Sequence, residues 1–179
     1  MRHSLAALLF DLGDTIMLEE TEIIDDDGTT LRAELVLGMA EALGQFKAQG
    51  HRLALVADSR PDTPANVLRQ HGLYDLFDEI AVSEIAGASK PDSRLFRVAL
   101  DGMGVTANDY GRVVMVGNNL ERDIVGANRL GLISVFFHVN ERRRTRPLTD
   151  DETPRHTVTG ARELVALIER LDRMEENYT

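Results

Sequence analysis

Hydrophobic positions along this chain fall into two alternating kinds of run. Leu5 to Phe10 is apolar at every position, the pattern of a strand covered on both faces in a parallel sheet, and it stops at Asp11. Similar short runs recur at Leu53 to Ala57, Ile80 to Val82, Val113 to Val116 and Ile133 to Phe137. Between them apolar residues return at helical spacing. Leu35, Met39, Leu43 and Phe46 form one such stripe and end at Gly50; Leu95, Phe96, Ala99, Leu100 and Met103 form another after a potential N-cap at Asp92. Alternating strand and helix predicts an α/β fold: βαβ crossovers building a doubly wound, Rossmann-like parallel sheet. In such sheets ligands bind beyond the carboxyl ends of the strands. Residues that directly follow strands are therefore the functional candidates.

Ile16 to Thr30 breaks the rhythm. Two short apolar pieces, Ile16 to Leu18 and Ile23 to Ile24, precede the turn-forming run Asp25-Asp26-Asp27-Gly28, and the segment reads as a small β-hairpin flap. A last helix near Ala161 to Leu171 packs Leu164, Val165, Ile168 and Leu171. No repeat, linker or second domain interrupts the pattern, so residues 1–179 read as one domain.

Composition narrows the setting. There is no cysteine, which removes disulfides and thiolate metal sites and suits a reducing, cytoplasmic location. Leu5 to Phe10 is far too short to span a membrane, and the charged sequence after it does not fit a signal peptide, so a soluble protein without membrane partners is expected. A net charge of -10 argues against nucleic acid, which is held by broad basic surfaces. Lys47 and Lys90 are the only lysines, the other cations being arginines, so a lysine inside a motif carries unusual weight.

Four strand ends carry motifs. The first reads Phe10-Asp11-Leu12-Gly13-Asp14-Thr15. The second, Val56-Ala57-Asp58-Ser59, closes the next strand. Ser89-Lys90-Pro91-Asp92 stands directly before a helix. The fourth runs from Val113 through Gly117-Asn118-Asn119 to Asp123-Ile124, then Gly126-Ala127 and Gly131. In this order, each after a strand, they resemble the haloacid dehalogenase (HAD) superfamily, whose first motif is DxDGT and whose fourth is GDxxxxD, and the resemblance covers nearly the whole chain.

That resemblance implies a phosphohydrolase. Asp11 would be the nucleophile, forming an aspartyl-phosphate, with Thr15 beside it; Lys90 would neutralise charge on the nucleophile and the phosphoryl group. Mg²⁺ would be held by Asp11, the Gly13 carbonyl and Asn118, with Asp123 nearby. Ser59 and Asn119 are the candidates for phosphate contacts, although a polar turn after the strand accounts for Ser59 as well.

Three positions depart from the family pattern. Gly13 replaces the aspartate that protonates the leaving group and later activates water, a loss commonly worth roughly 10²–10⁴-fold. Asp14 is the nearest substitute, but its side chain should point elsewhere. Ala57 stands where the family has Ser or Thr, and Asn118 where it has an aspartate, so Mg²⁺ should bind weakly. These losses keep a second reading open, a catalytically silent domain with a binding or regulatory role. The intervals from Asp11 to Ala57 and from Ala57 to Lys90 leave no room for a folded cap. The resemblance then implies an open site taking a phosphorylated small molecule or macromolecule, or one closed by a second subunit, which makes a homo-oligomer an expectation. The basic run Arg142-Arg143-Arg144 with Arg146 follows the fifth strand; arginine forks suit phosphate or carboxylate, but a solvated charged loop is the favoured reading.

Overall fold

The computed structural model describes residues 4–174. Six parallel strands form the central sheet in the order β5-β4-β1-β6-β7-β8: β1 (Ala7–Phe10), β4 (Leu53–Ala57), β5 (Glu79–Val82), β6 (Val113–Gly117), β7 (Ile133–Phe137) and β8 (His156–Val158). A separate antiparallel hairpin pairs β2 (Ile23–Ile24) with β3 (Thr30–Arg32). The helices are α1 (Met39–Ala48), α2 (Asp62–Gln70), α3 (Ser83–Ala86), α4 (Ser93–Gly102), α5 (Val125–Leu130) and α6 (Ala161–Met174).

The uninterrupted apolar character of β1 follows from burial on both faces. Leu8 and Phe10 point toward α1 and α6, joining Met39, Leu43, Phe46, Leu164 and Ile168. Ala7 and Leu9 point the other way, toward Leu95, Phe96, Ala99 and Leu100 of α4. Each face thus buries several large aliphatic or aromatic side chains, each worth roughly 1.5–3 kcal/mol. Gly126 allows α5 to approach α4: a Cβ there would collide with the Phe96 ring.

The five predicted strands are present, and Asp92 caps α4 by accepting the Arg94 N–H. The flap is a hairpin, but its pairing differs from the expectation. Ile16 to Leu18 lies outside the hairpin, Met17 instead bridging to Gly13 and Leu35, and the partner of Ile23–Ile24 is Thr30–Arg32. The hairpin is fastened to α2: Thr30 N–H donates to Thr63 Oγ1 at 3.1 Å, and Asn66 Nδ2 to the Thr30 carbonyl at 3.0 Å. The sixth strand, β8, was absent from the sequence reading. Only Val158 of its three residues is buried, so it carries no apolar run.

β1 sits between β4 and β6, so Asp11, Ala57 and Asn118 emerge side by side at one end of the sheet. The loop from β5 to α4 brings Lys90 to the same place.

Candidate active site

Lys90 organises this end of the sheet. Its Nζ donates to Asp11 Oδ1 at 2.5 Å and to the Val56 carbonyl at 2.9 Å, and pairs with Asp123 Oδ1 at 2.8 Å. Its backbone N–H donates to Asp58 Oδ1 at 2.9 Å, so the aspartate after β4 holds the lysine's own peptide. Burial works against the ammonium, but the charges of Asp11, Asp123 and Asp58 outweigh it and raise the Lys90 pKa above its ordinary value. The cation is permanently charged at neutral pH.

Asp123 is wholly buried behind this pair, and its Oδ2 accepts the Asn119 N–H at 3.0 Å. Burial first, and then the nearby Asp11 charge, raise its pKa despite the pull of Lys90. Gly117 makes the room it occupies, since a Cβ there would lie 2.6 Å from the Asp123 Cβ. A π-type turn at Leu120–Ile124 then leads into α5.

Asp11, Gly13, Ser59, Lys90, Asn118, Asn119 and Asp123 all line one open cavity of about 230 Å³, with the hairpin as one wall. The sequence-derived candidates therefore converge, but in differing roles. Asp123 faces Lys90 rather than standing free as a ligand. Asn119 Oδ1 caps the following turn, accepting from the N–H groups of Glu121 and Arg122 at 3.0 and 3.2 Å. Ser59 Oγ donates to the Arg60 carbonyl at 3.2 Å, which is the polar-turn arrangement. Thr15 is buried, and its hydroxyl has no partner.

Asn118 is buried, and its Oδ1 also lacks a partner. An orphaned buried carbonyl oxygen costs about 1–3 kcal/mol, which a hard cation would relieve. With the Asp11 carboxylate and the Gly13 carbonyl, the oxygen donors suit Mg²⁺. Among the described residues no cluster of three His, Cys, Asp or Glu side chains could hold a metal, so such a site rests on one carboxylate and neutral oxygens.

The region around Gly13 holds what the sequence reading missed. Asp14, in the left-handed region at φ 48°, turns its buried side chain away from the cavity: Oδ1 accepts the Glu19 N–H at 3.0 Å and Oδ2 pairs with Arg142 Nε at 2.9 Å. Glu19, just after the first motif, lines the cavity, and its carboxylate fills the space beside Gly13. A Cβ at Gly13 would lie 2.9 Å from Glu19 Cγ and nearer still to Oε1. Arg143 Nη2 donates to Glu19 Oε1 at 2.5 Å, and Arg142 Nη2 to Oε2 at 3.4 Å. Burial opposes the charge of Arg143, but Glu19 outweighs it and raises the guanidinium pKa.

The Arg142 to Arg146 loop is largely exposed, as its composition suggested, but its charges are paired with carboxylates. Arg144 grips Glu152 through two bonds of 2.7 and 2.9 Å and reaches Glu121 at 2.8 Å, so the loop is tied down by three of its arginines. Local carboxylates, scattered along the sequence, supplied the partners that composition could not reveal. No helix among the described residues is long and apolar enough to cross a membrane.

Comparison with known proteins agrees with this geometry. Over residues 3–131 the chain matches the model of the haloacid dehalogenase-like hydrolases. It is 30% identical over 129 residues to a glyceraldehyde 3-phosphate phosphatase of Methanopyrus kandleri, covering 72% of this chain and 54% of that protein. It is 34% identical over 126 residues to a phosphoserine phosphatase of Thermus thermophilus, covering 70% and 48%. The chain thus spans about half the length of the curated relatives it matches. A HAD phosphatase from Thermococcus onnurineus superposes with a TM-score of 0.75 at 18% identity, covering 92% of this chain and 98% of that one. The magnesium-bound HAD-hydrolase YfnB of Bacillus subtilis superposes with a TM-score of 0.74 at 18% identity and the same coverage. With a family model matched over most of its length and the strand-end constellation in place, this chain belongs to the haloacid dehalogenase-like hydrolase family.

Proposed function

We propose that this chain is a Mg²⁺-dependent phosphatase that works through a phosphoryl group carried on Asp11. The observation that carries the reading is Lys90, buried and charged between Asp11 and Asp123. Burying an ammonium and a carboxylate costs several kcal/mol per ion, and replacing such a pair with apolar residues is often neutral or stabilising. A domain kept only for binding gains nothing from that expense at a cavity floor, whereas phosphoryl transfer does.

Asp11 supplies the attacking oxygen. Lys90, fixed by the Val56 carbonyl and Asp123, meets the negative charge gathered by nucleophile and phosphoryl group without having to reorganise. Asp11, the Gly13 carbonyl and Asn118 would hold the metal, which when bound draws charge from the phosphoryl oxygens and orients them. The relatives named as phosphatases of glyceraldehyde 3-phosphate and phosphoserine support a phosphorylated small molecule as the substrate class.

Phosphate release from a panel of phosphorylated metabolites and acyl phosphates, with and without Mg²⁺, tests the proposal on the wild type and Asp11→Asn. Activity that needs Mg²⁺ and disappears in Asp11→Asn is expected. Wild-type turnover in Asp11→Asn would overturn it.

A further inference from the structure

Glu19, though paired with Arg142 and Arg143, is set apart from the other cavity carboxylates by its position. Of the others, Asp11 and Asp123 are committed to Lys90, Asp58 accepts the Lys90 N–H and pairs with Arg122, and Glu22 accepts the Thr30 hydroxyl at 2.6 Å. Glu19 alone lies in the volume that a side chain at position 13 would fill. Asp11, Gly13 and Glu19 line the same cavity, so this volume opens onto the space that the Asp11 carboxylate faces. Arg142 and Arg143 each hold one Glu19 oxygen and fix its rotamer, Arg143 from the cavity lining itself, the kind of support that catalytic placement needs. Gly13 is outside the positive-φ region, so no backbone requirement explains the glycine; its missing side chain is what lets the glutamate in.

From this we infer that Glu19 is the general base of the reaction, activating the water that releases phosphate from Asp11. The inference rests on the phosphatase reading above. In the second step the water oxygen attacks phosphorus while one water proton passes to a Glu19 oxygen. The bond from phosphorus to Asp11 breaks, its electron pair returns to the Asp11 carboxylate, and inorganic phosphate leaves. Glu19 then holds the proton that the leaving oxygen of the next ester requires, so one carboxylate serves both half-reactions and no proton is gained or lost over the cycle.

Acetyl phosphate and p-nitrophenyl phosphate are suitable probes, because their leaving groups depart without a proton and isolate the second step. With Mg²⁺ present, Glu19→Gln should lower kcat roughly 10²–10⁴-fold. Chains quenched during turnover should carry one phosphoryl group by intact mass, where the wild type carries little. A rescue separates chemistry from support: Glu19→Ala should lose the same activity, and adding Gly13→Asp to it should restore part, since the new carboxylate enters the vacated volume. If Glu19→Gln keeps wild-type kcat while Asp11→Asn is dead, Glu19 is not the base and the phosphatase reading stands. Slow turnover without phosphoryl-enzyme, or no recovery in the folded double variant, also overturns the role. Activity that survives in Asp11→Asn removes the phosphatase reading and this inference together.

Discussion

The two halves of the cavity are built on different principles. On the Lys90 side, Lys90 and Asp123 are buried, Asp11 is partly buried, and the three share short contacts, each carried by a segment that leaves the same end of the sheet. On the Glu19 side, the charges are half exposed and the partners come from the flap and from a long loop after β7. The first half is fixed by the sheet and would change little without unfolding. The second is a surface ion-pair network, in which individual pairs contribute about 0–1 kcal/mol to stability, so it is free to vary without threatening the fold. Departures from the family motifs nonetheless fall on both sides, at Ala57 and Asn118 on the strand ends and at Gly13 beside Glu19, while Asp11, Lys90 and Asp123 match those motifs.

Removing the buried cation is the largest expected perturbation. Lys90→Met leaves Asp11 and Asp123 facing each other with no counter-charge, and breaking a buried pair typically costs about 3–5 kcal/mol. At about 2–4 °C per kcal/mol for a domain of this size, Tm should fall by roughly ten degrees, alongside loss of turnover. Thermal unfolding followed by circular dichroism measures it; a Tm within a degree or two of wild type would mean that the cluster is not the charged, desolvated unit described.

This contrast also explains what the sequence disclosed. Continuous apolar runs are the signature of strands buried on both faces, so β1, β4, β6 and β7 were legible, and with them the residues at their ends. Lys90 stood out because the chain uses lysine only twice. β8 was not legible because an edge strand with one buried residue has no pattern to read. Glu19 was missed for a different reason: its position depends on the flap's path and on arginines over 120 residues away in the chain, and the only local signal was a glycine where a side chain was expected. The same long-range pairing ties down the exposed arginine run and brings Arg143 to the edge of the cavity.

Asn118→Asp sharpens the Lys90 side. A full negative charge in place of an orphaned amide oxygen should tighten Mg²⁺ roughly tenfold, the equivalent of ~1.4 kcal/mol, while lowering the metal-free Tm through repulsion with Asp11. Titration calorimetry with Mg²⁺ reads the first effect and thermal unfolding with EDTA the second. Unchanged Mg²⁺ affinity would remove Asn118 from the metal site.

Gly13→Asp alone tests the Glu19 side. Restoring the family's residue looks, from sequence, like a gain of function, but Glu19 already occupies the space and is held there by Arg142 and Arg143. The single variant must expel one carboxylate from its arginines or crowd two together, so a drop in Tm of a few degrees and no gain in kcat are expected, in line with overpacking costs of about 1–3 kcal/mol. Higher activity on alkyl phosphates with unchanged Tm would show that the volume beside Gly13 is open.

The smallest effect concerns the loop that carries the arginines. Glu152 accepts two bonds from Arg144 and the Leu148 N–H at 2.6 Å, and the Arg144 bonds, more than the backbone ones, hold its pKa down to about 2. A carboxyl whose folded pKa lies below its unfolded value of about 4.3 stabilises the fold fully above that unfolded value. The contribution is lost as pH falls from there through the folded pKa. Glu152→Gln removes the charge at every pH, so wild type should exceed the variant in Tm by a constant margin near neutrality, and the margin should shrink between about pH 4 and pH 2 as the wild type protonates. Because Arg142 and Arg143 ride on the same loop, Glu152→Gln should also weaken their hold on Glu19 and lower kcat modestly at neutral pH, with Mg²⁺ affinity unchanged. A Tm margin that does not close with acid would mean that Glu152 braces the loop through shape rather than charge, and an unaltered kcat would mean that Glu19 keeps its place without the loop's full support.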